Sequence, residues 1–276
     1  MNAGTPNIAS VAETVAPVVG EGLAPEAYRS LVLFAPFTRE HLAAVAACAL
    51  AAGVVIAVGR AVRPPAPPPP PTDPHTIDPA GRVLGALALA HWVAQQAWWN
   101  IPARFDAAQS LPLHVCDLNG LVAALALLTG RRWLTAILYF WGLGLSTQAY
   151  CTPVVEWGPL VTEFWLFWES HTLIVGAAAY VLLVRRFRPR GRDLLIALGA
   201  MIAYVAIILP IDLAFGWNYG YVGNTVPDQP TIIDRLGPWP LRLVPMAGLM
   251  VLVMVLLWLP WAVAARRGDA PTKPGR

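Results

Sequence analysis

Seven long apolar stretches constrain the fold of this chain more than any other feature of its sequence. Each is about 18 to 22 residues long, the length that an α-helix needs to cross the ~30 Å hydrocarbon core of a bilayer. The stretches are approximately His41–Val58, Val83–Asn100, Leu111–Thr129, Trp133–Tyr150, Phe164–Val184, Leu194–Phe215 and Leu243–Ala264. Because backbone amides in hydrocarbon must be satisfied internally, such runs predict helices. We therefore predict an all-α membrane protein, a seven-transmembrane helical bundle.

The composition excludes an ordinary soluble fold. Hydrophobic residues make up 57% of the 276 residues and charged residues 13%, whereas about 25% charged is usual in soluble domains. The three cysteines, Cys48, Cys116 and Cys151, are too few and too scattered for a disulfide framework or a zinc ribbon. The net charge of +3 gives no indication of a nucleic-acid partner. We predict no nucleic-acid partner, no cofactor and no metal.

The distribution of basic residues predicts the orientation of the bundle. Cytoplasmic loops retain an excess of Lys and Arg. With seven crossings, fourteen of the nineteen Lys and Arg residues fall on one side. The other side carries Arg29, Arg39, Arg104, Arg235 and Arg242. We expect an N-terminus outside, a cytoplasmic C-terminus, and a multi-pass protein of the cell membrane.

The segments outside the apolar stretches divide the chain into three parts. Residues 1–38 are expected to form an extracytoplasmic tail, and residues 266–276 a basic cytoplasmic tail. The membrane domain is expected to span residues 39–265 and to include a proline-rich cytoplasmic loop at 63–79. A run of prolines has no amides with which to build a helix and favours extended polyproline structure.

Polar residues interrupt two of the apolar stretches at similar depth. Cys116 lies about five residues into the third stretch, ~8 Å from its outer end, and His171 lies about seven residues into the fifth, ~10 Å. Polar groups at membrane depth are costly, so they indicate a functional site with a partner. A histidine beside a thiol can take its proton and create a nucleophile. Cys116 and His171 are therefore candidates for a catalytic pair.

Other polar residues near the same end of the bundle are candidates for supporting roles. The candidates for orienting the imidazole or stabilising an oxyanion are Asp117, Asn119, Gln148 and Glu169. The candidates for lining the substrate are His91, Gln95, His114 and Trp168. A zinc site is the competing chemistry, because His114, Cys116, Asp117 and His171 are competent ligands, but their spacing matches no metal-binding pattern.

Several stretches together resemble one family. They are Phe34–Leu42, Leu111–Leu118, Tyr139–Pro153, Phe164–His171 and the segment from Asn218 to Pro240. In this order they look like the YwaF-type bacterial integral membrane proteins, a family similar to an animal transmembrane acyltransferase that builds ether phospholipids. The proline-rich loop and the Leu-Arg-Leu that follows Gly-Pro-Trp-Pro depart from the pattern. The resemblance implies that Cys116 is the catalytic cysteine and His171 the catalytic histidine.

Two classes of function follow from these residues. The first is a membrane-embedded lipid acyltransferase or lipid ester hydrolase that works through a thioester acyl-enzyme, with a phospholipid or lysophospholipid as substrate. The second is a non-catalytic transporter or lipid-binding scaffold in which His91, Gln95, Asp117 and His171 line a path. Polar residues favour one half of the bundle, which disfavours conduction.

Overall fold

The computed structural model describes residues 33–62, 78–155, 157–224 and 232–268. Regular structure within these ranges is helical, apart from an isolated β-bridge between Leu33 and Trp157. The α-helices are α1 (Arg39–Val62), α2 (Pro79–Trp99), α3 (Val115–Thr129), α4 (Arg132–Ile137), α5 (Thr162–Leu183), α6 (Gly191–Phe215) and α7 (Leu243–Gly268). The all-α prediction is confirmed for the described residues.

The helices fall at the seven predicted places, but they differ in length and regularity. By length and composition, α1, α5, α6 and α7 are long and apolar enough to cross a membrane. Helix α3 is apolar but has only 15 residues. It begins at Val115, four residues later than predicted, because His114 adopts an extended backbone as its N-cap. The chain is a helical membrane protein, and the side on which its termini lie stays a prediction.

The fourth predicted span is not one regular helix. After α4 the chain continues as a π-helix over Leu138–Gly142 and then forms a 3-10 turn over Ser146–Tyr150. A π-turn inserts an extra residue into a helix, and such insertions occur frequently at functional sites. This change of helix type sets the direction of the side chains that follow Gly142, including Ser146.

Three predicted segments lie largely outside the described residues. They are the N-terminal tail up to residue 32, the proline-rich loop from 63 to 77, and the basic tail from 269 onwards. The described end of the loop is Asp78, which forms the N-cap of α2.

Helix α3 lies at the centre of the bundle, where it packs against α2, α4 and α5. Its buried residues include Ala123, Ala124, Ala126 and Leu127, each fully inaccessible to solvent. Small residues let membrane helices approach closely. Gly85 of α2 packs closely against α3, since a Cβ at that position would lie only 2.9 Å from the side chain of Leu127.

A cluster around Asp78 ties three helices together at one end of the bundle, which we call the clamp end. Asp78 accepts hydrogen bonds from the first turn of α2 (2.6 Å), from Arg185 Nε (2.9 Å) and from the Tyr180 hydroxyl. Arg185, just after α5, also donates to the carbonyls of Ala126 (3.2 Å) and Leu127 (2.8 Å) near the end of α3. Asp78 thus accepts from a backbone amide at the start of α2 that lacks a partner within the helix, and Arg185 donates to carbonyl groups near the end of α3.

A second ion pair closes the clamp end between α4 and α6. Asp193 is 1% exposed and accepts from Arg132 Nε (3.0 Å) and from the backbone amide of Arg190 (2.7 Å). Arg132 also donates to the Arg188 carbonyl (3.1 Å). Together the two clusters fix five of the helices relative to one another.

Removal of the Arg185 charge is expected to destabilise the protein strongly. Arg185→Gln leaves the half-buried Asp78 carboxylate without its counter-charge and removes hydrogen bonds to the end of α3. Loss of one partner of a buried ion pair costs about 3–5 kcal/mol. Scanning fluorimetry in detergent should show a large fall in Tm. The matched change Arg188→Gln, at an exposed arginine, should have little effect, and equal falls for the two variants would contradict the clamp.

The stabilisation by Asp78 is expected to depend on pH. Burial raises the pKa of Asp78, but hydrogen bonds from Tyr180 and the α2 amide, together with the charge of Arg185, lower it further, to below its ordinary value. A carboxyl with a depressed pKa in the folded state stabilises the fold above its unfolded pKa, and this is lost as the pH falls through the folded pKa. The difference in Tm between wild type and Asp78→Asn should therefore shrink below about pH 4. A Tm difference between the two proteins that stays constant at acidic pH would contradict this pH dependence.

Candidate active site

A large cavity opens at the end of the bundle opposite the clamps, which we call the site end. Its volume is about 1690 Å³, more than the ~300–1,000 Å³ of usual small-molecule pockets. Residues of α2, α3, α5, α6 and α7 line it, together with the 3-10 turn and the loop after α6. Such a cavity has room for a ligand larger than an ordinary metabolite.

Cys116 lines this cavity from the first turn of α3. The N-cap residue His114 makes no side-chain hydrogen bond to the helix, and the first intrahelical bond runs from Leu118 N to the His114 carbonyl (3.1 Å). The amides ahead of Leu118 therefore have no partner within the helix. The N-terminal end of a helix stabilises negative charge, and a thiolate is the reactive form of cysteine. This position suits a nucleophile.

His171 lines the same cavity from α5, which packs directly against α3. The residue is buried (6% exposed), and the centroids of its ring and of the Phe167 ring are 4.4 Å apart. Nδ1 lies 2.7 Å from the Phe167 carbonyl oxygen. Because a carbonyl only accepts, Nδ1 carries the proton and Nε2 of the neutral ring is left as the base. Cys116 and His171 thus line one cavity, and Nε2 of the imidazole is the unprotonated nitrogen, which can accept a proton.

Ser146 connects the thiol to the interior of the bundle. It is 1% exposed, accepts a hydrogen bond from Asn119 Nδ2 (3.1 Å), and lies close to the Cys116 side chain. A serine hydroxyl has one proton to donate. Since Asn119 occupies the oxygen as a donor, that proton is free to point at the sulfur. Ser146 can therefore stabilise a thiolate at Cys116.

The two predicted carboxylates have other partners than the imidazole. Asp117 lines the cavity together with Gln96, whose side chain lies beside its carboxyl group. Glu169 lies 3.4 Å from His91 Nε2 and has an exposed side chain. The Phe167 carbonyl occupies Nδ1 of His171, and a role for Asp117, Asn119 or Glu169 in orienting the imidazole stays a prediction. The Phe167 carbonyl lies one turn before His171 on α5, directly beside the imidazole ring.

The remaining predicted residues separate into two groups. His91, Gln95, His114 and Gln148 line the cavity. Asn119 is fully buried and supports Ser146. Trp168 is 3% exposed, packs among Phe34, His41, Tyr150 and Phe164, and does not line this cavity, so its predicted contact with the substrate stays a prediction.

Among the described residues, His, Cys, Asp and Glu side chains form no group of three or more able to hold a metal ion. The zinc alternative at His114, Cys116, Asp117 and His171 therefore gains no support from the geometry.

Ser146 and two tyrosines at the cavity were not predicted from the sequence. Tyr204 of α6 donates from its hydroxyl to the Leu113 carbonyl (2.8 Å) just before α3. Tyr221, in the loop after α6, lines the cavity, and burial raises its pKa to about 12, so its hydroxyl stays protonated at neutral pH. Ser146 had one available signal, since it begins the polar run Ser-Thr-Gln after the apolar residues of the fourth span.

The fold and the site together define a multi-helix integral membrane protein with a cysteine and a histidine facing a cavity within the bundle. A scan against family models matches residues 36–258 to the TMEM164 family. The chain belongs to the TMEM164 family, and the narrower likeness to YwaF-type proteins stays a prediction. A comparison with curated proteins and with solved structures found no match.

Removal of the Ser146 hydroxyl is expected to slow the reaction of Cys116 with a thiol reagent. A hydrogen bond to a charged group contributes about 1.5–3 kcal/mol, so Ser146→Ala should lower the rate of alkylation by roughly tenfold or more at neutral pH. The rate should be followed by mass spectrometry across a pH series, in protein lacking the other two cysteines. The whole pH profile of the alkylation rate should move to higher pH, because the variant destabilises the thiolate without changing the access of the reagent to the sulfur.

The matched control is Thr147→Val, which removes the neighbouring hydroxyl. Thr147 also lines the cavity, but its hydroxyl donates to the Leu143 carbonyl (2.8 Å). A pH profile for Ser146→Ala that coincides with those of Thr147→Val and the parent would contradict a role for Ser146 at the sulfur.

Proposed function

We propose that this protein transfers or hydrolyses acyl groups of membrane lipids, with Cys116 as the nucleophile and His171 as the general base. The observation that carries the proposal is that both side chains line one cavity while the Phe167 carbonyl leaves Nε2 of His171 basic. Membership of the TMEM164 family agrees with a membrane acyltransferase. The resemblance to a Cys- and His-dependent phospholipid acyltransferase supports the same residues.

The first half-reaction forms a thioester. Nε2 of His171 takes the proton of the Cys116 thiol, and the sulfur attacks the carbonyl carbon of a lipid ester. The tetrahedral intermediate collapses with cleavage of the bond between the carbonyl carbon and the glycerol oxygen. That oxygen leaves with the proton from the imidazolium, which returns His171 to its neutral form. The products are a lysolipid and an acyl group on Cys116.

The second half-reaction releases the acyl group. Nε2 of His171 removes a proton from an acceptor hydroxyl, whose oxygen attacks the thioester carbonyl. The carbon–sulfur bond breaks, and the thiolate recovers its proton from the imidazolium. A lysophospholipid as acceptor gives an acyltransferase, whereas water gives a hydrolase. The cavity volume of about 1690 Å³ favours binding of a lipid acceptor beside the acyl chain.

Donors for the developing oxyanion are available on two sides of the thiol. The amides of the first turn of α3 have no partner within the helix, and Cys116 belongs to that turn. Gln148 lines the cavity from the 3-10 turn. Donors of these kinds act as oxyanion holes when they are held in place before the reaction. Tyr221, whose hydroxyl stays protonated, is a third candidate donor at the cavity wall.

The alternative of a transporter or lipid-binding scaffold requires a path through the bundle. The ion pairs of Asp78 with Arg185 and of Arg132 with Asp193 hold the helices together at the clamp end. Because the cavity lies at the opposite end, the arrangement favours a closed reaction site over a conduit.

Loss of either member of the pair is expected to abolish acyl turnover. Purified protein in phospholipid vesicles should release lysolipid or exchange acyl chains, as measured by lipid mass spectrometry. Cys116→Ala should reduce this to background. His171→Gln should reduce it by about 10²–10⁴-fold, the usual contribution of a general base.

The matched control is Cys48→Ala, because Cys48 is a free thiol of α1 that does not line the cavity. Its turnover should equal that of the wild type. Retention of turnover in Cys116→Ala would exclude the proposed nucleophile, and vesicle uptake that survives both substitutions would favour the transporter.

A further inference from the structure

The cavity extends beyond the reactive pair into a space between α6 and α7 that we call the apolar arm. Its walls are formed by Met201, Val205 and Leu209 of α6 and by Met246, Met250 and Val253 of α7. These residues recur at spacings of three and four, so each set lies on one face of its helix. Methionine side chains are flexible and adapt to ligands of irregular shape. The arm thus has two apolar walls whose side chains can adapt to the shape of a bound ligand.

The arm begins beside the nucleophile. Tyr204, which lies between Met201 and Val205, donates to the Leu113 carbonyl (2.8 Å), and this bond holds α6 against the start of α3. Cys116 is in the first turn of that helix, and its sulfur lines the same cavity. An acyl group on this sulfur would therefore have its carbonyl among polar side chains and its chain directed towards the α6 wall.

The arm ends near Gly144. A Cβ at this glycine would lie 3.3 Å from Val253 Cγ1 and 3.3 Å from Leu257 Cδ1, so α7 closes on the main chain here. Beyond this point the Tyr139 hydroxyl donates to the Leu257 carbonyl (3.0 Å). Trp141 Nε1 donates to the Ala197 carbonyl of α6 (3.2 Å). These two bonds join the fourth span to both walls and close the arm.

We propose that the apolar arm binds the acyl chain of the lipid attacked by Cys116, and that Gly144 sets the longest chain accepted. This inference rests on the proposed acyl transfer. Burial of each methylene is favourable, so a chain that fills the arm binds better than a shorter one. A side chain at position 144 would occupy the closed end and exclude the last carbons of a long chain.

The test of this inference is the chain-length preference of lipid turnover. Vesicles would contain equal amounts of a phosphatidylcholine with long acyl chains and one with short chains, and the released lysolipids and transferred chains would be measured together. Gly144→Val should lower the ratio of long-chain to short-chain turnover by about tenfold or more, the usual effect of a methylene-sized change in an apolar pocket. The matched control is Gly248→Val on α7, where a Cβ would have nothing within 4 Å. Its ratio should equal that of the wild type.

A second pair of variants keeps the inference testable if Gly144→Val does not fold. Val253→Trp fills the arm from α7, whereas Leu252→Trp alters the adjacent residue, which is 53% exposed and outside the cavity lining. The first should lower the chain-length ratio, and the second should not. A ratio that is unchanged in both Gly144→Val and Val253→Trp would overturn the role of the arm.

A binding measurement separates failure of the arm from failure of the proposed chemistry. Cys116→Ala protein would be irradiated in vesicles that contain a phosphatidylcholine with a diazirine at the end of one acyl chain. Labelling concentrated near Met201 and Val253, and lost in the double variant with Gly144→Val, would support the arm even if no turnover is found. Labelling spread over the lipid-facing surface of α7 and unaffected by Gly144→Val would overturn it. Absence of turnover in the wild type for both chain lengths would instead contradict the proposed function alone.

Discussion

The 2.7 Å hydrogen bond between Nδ1 of His171 and the Phe167 carbonyl is the interaction on which the candidate site depends. It fixes the tautomer of a buried imidazole and leaves Nε2 unprotonated, as the proposed role of a base requires. A backbone carbonyl can hold a neutral ring without placing a further charge in the membrane, where an acid would be costly. In the proposed reaction, the site therefore needs only Cys116, His171 and neutral support from Ser146 and Asn119.

The clamp end and the site end act on the same central helix. Arg185 holds the last carbonyls of α3, while Tyr204 holds the chain just before its first turn. With both ends of α3 fixed, Cys116 has little freedom to move away from α5. The two buried ion pairs of Asp78 with Arg185 and of Arg132 with Asp193 thus lie at the end of the bundle away from the cavity.

Much of this arrangement could be predicted from the sequence, and some of it could not. Apolar length predicted the seven helices, and the costly polar residues in two of them directed attention to Cys116 and His171. The π-turn at Leu138–Gly142 has no sequence signature of its own, so the direction of Ser146 was not predictable. Trp168 does not line the cavity because α1 packs over its face of α5, and helical spacing alone does not show which neighbouring helix covers a face.

The central claim is that the thiol of Cys116 carries the acyl group of a membrane lipid, with His171 as its base. Intact-protein mass spectrometry after brief exposure to phospholipid vesicles tests it most directly. The account predicts a mass increase of one fatty acyl group that maps to Cys116, is removed by neutral hydroxylamine, and forms far more slowly in His171→Gln. An unmodified Cys116 in protein that still turns over lipid, or an acyl group on another residue, would contradict it.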